Sequence, residues 1–170
     1  MIFHRLGLIN RNQRGFTLIE LIVAVAITGF ITGGITTSIF QVINIEARTS
    51  NHMTAVAEVQ NAGFWVSHDG LMAQDVDDNP PAPEVLKLTW TEWDNTVHQV
   101  TYTLQGTELW RDDSGSGQQM RVAQYIDSIS CQLDPFDNRK LIVTMTAIVG
   151  GGWQEASETR TYEVVPRPSL

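Results

Sequence analysis

The chain holds a single cysteine, Cys131, in 170 residues. No intramolecular disulfide can form, so any exported part must hold together by packing alone, and its thiol is expected to be buried rather than reactive. No proline stands before Pro80, and no acidic residue stands before Glu20. The four histidines lack metal-ligand spacing, and Ser67, Ser114 and Ser116 lie in no nucleophile-elbow pattern. The chain is therefore read as a non-enzyme with no metal and no cofactor.

What the sequence does have is a long apolar run from Phe16 to Ile45 that contains one charged residue, Glu20. As a helix those residues extend roughly 45 Å, against roughly 30 Å of bilayer hydrocarbon. The run can cross a membrane and continue beyond it. A charge inside such a segment is costly and marks a functional position. His4, Arg5, Arg11 and Arg14 precede the run, so the positive-inside bias predicts a single pass with the N-terminus cytoplasmic and the remainder exported.

The first fifteen residues hold three of the eleven Lys and Arg and none of the nineteen Asp and Glu, leaving a formal charge of −11 on the rest. A domain that acidic repels phosphate backbones, so direct nucleic-acid contact is not expected and proteins are the expected partners. The 125 residues after Ile45 suffice for one domain with a real core.

Arg14-Gly15-Phe16-Thr17-Leu18-Ile19-Glu20, followed by a long apolar helix, resembles the prepilin signal of type IV pilins and type II secretion pseudopilins. The resemblance implies cleavage after Gly15 by a prepilin peptidase, N-methylation of Phe16, and recruitment of the subunit through Glu20. It also implies other pilin-like subunits and an assembly platform membrane protein as partners. Its parts are then a leader at 1–15, a membrane and assembly helix at 16–45, and an exported α+β pilin-like domain at 46–170.

The chemistry fits that role. Cutting after Gly15 creates an ammonium group on Phe16, and when helices bundle both it and Glu20 lose water, so an isolated charge of either sign is unfavourable. At about 4 Å and an effective dielectric near 20, pairing them is worth roughly 4 kcal/mol, enough to bias helix register. The amine also reaches its own Glu20 one turn away, so the pair is either within or between subunits. A competing signal-peptidase reading at Ala24-Val25-Ala26 is opposed by Glu20 and by the apolar residues that follow. A plain signal anchor is the other alternative.

Gly29 and Gly33 form a small-xxx-small pair beside Thr28, Thr32 and Thr36, which either packs helices closely or reflects the general frequency of Gly and Thr in membrane helices. Many pilins carry a proline hereabouts and this chain has none, so a bend would have to come from Gly33-Gly34.

From Glu46 to Val76 apolar residues recur at spacings of three and four, predicting an amphipathic helix that lays one stripe on a sheet; Gly63 and Gly70 count against it, and the Asp78–Pro83 segment ends it. Beyond Pro83 the alternation predicts an antiparallel meander. Strands are expected around Leu86–Trp90, Gln99–Leu104, Leu109–Trp110, Met120–Ala123, Ile129–Leu133, Lys140–Val149 and Thr159–Val165, with a turn at Pro135–Asn138. Leu141, Val143, Met145, Ala147 and Val149 share one face of the longest strand. This order is similar to the pilin fold, and the strand-rich half resembles the minor pseudopilin J and the minor pilins labelled W.

His68-Asp69 is the best local catalytic pair, without a nucleophile to serve. The Asp75–Asn79 and Asp112–Ser114 runs read as solvated turns rather than calcium loops. Of the five tryptophans most are expected in the core or on sheet faces, and Trp153, beside three glycines, is expected to be exposed. The functional expectation is a minor pilin or pseudopilin subunit that enters a filament through its N-terminal helix; the alternative is a membrane-tethered exported binding domain that never polymerises.

Overall fold

The computed structural model describes residues 15–137 and 139–168. The expected leader therefore lies outside the described residues except for Gly15, as does Asn138 of the expected turn. The chain divides into two compact units between Val42 and Ile43. One 55-residue helix, α1, runs Leu18–Met72, and only strands and one short 3-10 helix follow it. This is the expected α+β, pilin-like plan.

In the first unit every residue from Gly15 to Val42 is exposed, as an apolar helix is when its solvent is lipid or other helices. The helix is unbroken through Gly33-Gly34, so the only glycine pair available for a bend does not produce one.

In the second unit the strands form two antiparallel sheets where the sequence pattern suggested one. Strands β1 (Asp75–Asp77), β2 (Glu84–Thr91), β3 (Val97–Gln105), β4 (Glu108–Asp113) and β5 (Gln118–Ala123) make a five-stranded meander. Strands β6 (Ile126–Leu133), β7 (Leu141–Val149) and β8 (Ala156–Val164) make a three-stranded one. The chain changes sheet at Gln124-Tyr125, with Tyr125 at φ 60°. Residues expected to extend the helix to Val76 instead leave it at Met72 and start β1, where Val76 pairs with Leu88.

Alternation decides which side chains go inside. Leu86, Leu88 and Trp90 of β2, Val100 and Tyr102 of β3, and Leu109 of β4 are buried. So are Leu141, Val143, Met145, Ala147 and Val149 of β7, the five residues the period of two assigns to one face. The opposite face of β7 carries a hydroxyl ladder, Thr144 to Thr161 at 3.0 Å and Thr146 to Thr159 at 2.9 Å.

Against both buried rows α1 lays Ala55, Val59, Ala62 and Val66, all fully buried. Gly63 and Gly70 are part of this contact rather than a weakness in it: a Cβ at Gly63 would meet the ring of Tyr162, and one at Gly70 would stand 2.9 Å from Val164 Cγ1. Burying two valines contributes about 3–6 kcal/mol, so polar ties of about 1 kcal/mol each matter here. Asn61 Nδ2 donates to the Val122 carbonyl (2.6 Å), Glu58 accepts from the Gln124 amide (2.7 Å), and Tyr162 donates to the Val59 carbonyl (3.0 Å). The first two hold the point where the chain changes sheet.

The strongest tie is ionic. Asp69 is 1% exposed, and its carboxylate accepts from Arg111 Nε (2.7 Å), Arg111 Nη2 (3.1 Å) and the Tyr102 hydroxyl (2.5 Å). The guanidinium also lies 5.4 Å from the Trp65 ring centroid. Burial and the neighbouring Asp69 charge push the Tyr102 phenol above its ordinary range. Burial works against the Arg111 charge, but the Asp69 carboxylate outweighs it and raises the guanidinium further.

Removing one member of such a set leaves the other charge uncompensated. Asp69→Ala is expected to cost about 3–5 kcal/mol in urea unfolding, and Asp69→Leu combined with Arg111→Met less than either single change.

Asp113 gives a pH-dependent counterpart. Partial burial raises its carboxyl, but the Gly115 and Ser116 amides (3.0 and 3.4 Å) and Arg111 (3.5 Å) together hold it below the usual carboxylate range. A depressed folded value adds stability above the unfolded value of about 4, and that stability is lost as pH falls through the folded value. Asp113→Asn should thus be less stable than the wild type at neutral pH, and the two unfolding curves should converge in acid.

Candidate functional site

The site expected from the sequence lies where α1 begins. Gly15, Phe16 and Thr17 precede the helix, and Leu18 is its first residue. Thr17 Oγ1 accepts from the Glu20 amide at 3.3 Å, while Glu20 Oε2 accepts from the Thr17 amide at 3.0 Å and from its hydroxyl at 2.9 Å. This is a capping box: the residue before the helix and the third within it satisfy each other's backbone donors. The sequence carried the signal for it, Thr-x-x-Glu ahead of an apolar run, and the sequence reading passed over it. An acidic side chain in the first turn is favoured by the helix dipole as well.

Two features follow from that geometry. Glu20 is oriented by its own chain, and both Thr17 bonds fall on Oε2, leaving Oε1 with no bond among the described residues. The Thr17 amide lies on the C-terminal side of Phe16, so peptide cleavage after Gly15 would leave the box intact.

Gly29 and Gly33 lie farther along the same helix, and a Cβ at either would meet nothing within 4 Å. They line a shallow open groove with Ala24, Thr28, Thr32 and Thr36. The threonine hydroxyls there donate back to carbonyls four residues earlier at 2.8 Å, which keeps polar hydrogens inside the helix. The structure sets no side chain of the second unit in this groove.

Other polar candidates serve the fold. Asp69 is committed to Arg111 and Tyr102, and His68 only touches it from the surface at 3.3 Å, so the pair is a structural ion cluster and not a catalytic dyad. Asp78 caps the Leu133 amide (2.8 Å), and Asp77 accepts from the Asn79 amide (3.2 Å). Among the described residues no three His, Cys, Asp or Glu side chains are grouped to hold a metal ion. Trp90 is buried and stacks on His98, and Trp65 packs on the core. Trp93 and Trp153 are both 94% exposed; the exposure of Trp93 was not expected.

Cys131 is half-buried on β6 opposite Val143. Burial, with a smaller contribution from Asp78, pushes its thiol up to about 12. The thiolate is the reactive form, so at pH 8 the folded chain should label with a disulfide reagent far more slowly than the urea-unfolded chain. Equal rates would contradict the packing around β6.

Residues 10–36 match the family described as the prokaryotic N-terminal methylation motif, the signal of type IV pilins and pseudopilins. The match spans Gly15, Phe16, Glu20, Gly29 and Gly33. No curated protein and no solved structure matches the chain. The motif and the apolar helix that carries it support a type IV pilin-like or pseudopilin protein, a structural subunit with a single-pass membrane anchor whose class interacts with other pilins and with prepilin peptidase.

Proposed function

We propose that the chain is a low-abundance subunit of a type II secretion pseudopilus or type IV pilus. In this reading residues 1–15 are a cytoplasmic leader removed after Gly15, Phe16 becomes the methylated N-terminus, residues 16–45 form the membrane and assembly helix, and residues 46–170 are the exported domain. The subunit waits in the membrane until an assembly platform extracts it, and it joins its neighbours through the helix, with Gly29 and Gly33 allowing close approach.

The observation that carries the proposal is the capped first turn. Glu20 sits directly behind the bond to be cut, at the head of a helix with no partner for its apolar surface, and one carboxylate oxygen remains free for the ammonium that cleavage would create. N-methylation keeps that ammonium positive. Its pairing with Glu20 of a neighbouring subunit would then fix the axial register.

Two substitutions separate the charge from the cap. Glu20→Gln keeps an oxygen for the Thr17 donors and removes the charge, whereas Glu20→Ala removes both. Both variants are expected to be cleaved, with mass spectrometry finding methylated Phe16 first, and both are expected to be lost from filaments, as read by crosslinking along residues 16–39. Normal incorporation of Glu20→Gln would refute the charge pairing, and a native N-terminus elsewhere than Phe16 would refute the proposal as a whole.

A further inference from the structure

The β7–β8 loop holds an indole in solvent by construction. Gly150 and Gly152 have φ +84° and +59°, in the left-handed region that only glycine enters without strain, and the 3-10 turn Gly152–Gln154 carries Trp153 at its centre. Asn51 of α1 fastens the loop: its Nδ2 donates to the Gln154 carbonyl at 2.7 Å and lies so close to Gly150 that no side chain would fit there. The turn is therefore tethered, yet Trp153 touches almost nothing.

Its place along α1 bears on what covers it. Asn51 follows Ile45, the last residue of the apolar run, by six positions, about 9 Å of helix. An open cleft beside the loop joins Ile45, Arg48 and His52 of α1 to Glu155 and Ser157. The loop is thus level with the end of the hydrophobic segment, where the interfacial layer of a bilayer begins. From Gly150 to Gln154 it bears no charge.

A tryptophan buries about 150–250 Å², far short of the roughly 800 Å² per partner of a stable protein interface. It is, however, the residue enriched at membrane–water interfaces, where its ring sits among the headgroups with its N–H hydrogen-bonded. A neighbouring anchor already supplies the rest of the attachment.

We propose that Trp153 seats the exported domain on the lipid–water interface of the outer leaflet while the subunit is in the membrane. The partner is a zwitterionic phospholipid surface, with Arg48 beside the loop facing the headgroup phosphates. The inference rests on membrane anchoring and is independent of polymerisation, so failure of the Glu20 experiments leaves it standing.

The test uses the full chain reconstituted at low protein density in phosphatidylcholine vesicles, with or without lipids brominated just below the headgroup. Brominated lipid should lower the tryptophan emission of the wild type and of Trp93→Phe, and most of that drop should vanish in Trp153→Phe. Trp93 is the control because it is equally exposed and its turn lies near Gln74, past the far end of α1, where Gln74 Oε1 accepts from the Thr91 amide. Both residues are solvent-facing, so neither change threatens folding. Equal quenching with and without Trp153 overturns the proposal. So does quenching that appears only when subunits are crowded, which would assign Trp153 to contact with a second protein.

Discussion

Asp69 stands within the last turn of α1 with a whole carboxylate out of water, and the surrounding strands are arranged to answer that charge. Tyr102 comes from β3, Arg111 from β4, and Trp65 from one turn earlier in the helix. Ion pairs of this kind are weak evidence for stability in themselves, because desolvation offsets much of the attraction. What the cluster supplies is position. The helix offers the core mostly alanines, glycines and two valines, side chains that would tolerate sliding along a sheet, and a bidentate ion pair tolerates very little. With the ties at Asn51, Glu58 and Asn61 it fixes the helix at four heights against strands from both sheets.

At the other end of the molecule one carboxylate has two uses that do not conflict. The capping box satisfies backbone donors that would otherwise be orphaned at a helix start, and it occupies a single oxygen of Glu20. A carboxylate placed there for charge pairing alone would swing among rotamers; this one is already oriented. That is the physical link between the local structure of residues 17–20 and the methylation motif that spans them.

Much of this was legible in the residues. Period-two alternation identified the buried face of β7 residue by residue, and the single charge in the apolar run led to the first turn of α1. The failures have particular causes. Gly63 and Gly70 are helix breakers by propensity, and only the approach of Tyr162 and Val164 reveals them as the points of closest packing. The partition into two sheets depends on a positive φ at Tyr125, a residue type that gives no such signal. Asp69 and Arg111 are 42 residues apart and alternation shows only that each is polar; nothing local pairs them. The Thr17–Glu20 box, by contrast, was readable from its spacing.

The outer side of the three-stranded sheet has a quieter consequence. Thr144 and Thr146 meet Thr161 and Thr159 across the strands, and each pair spends one donor and one acceptor internally. Such a wall gives a passing macromolecule no counter-ion and few free hydrogens to grip. In a crowded envelope that makes one flank of the domain a slippery side, so that adhesion, where it happens, is confined to the surfaces that carry aromatic or ionic groups.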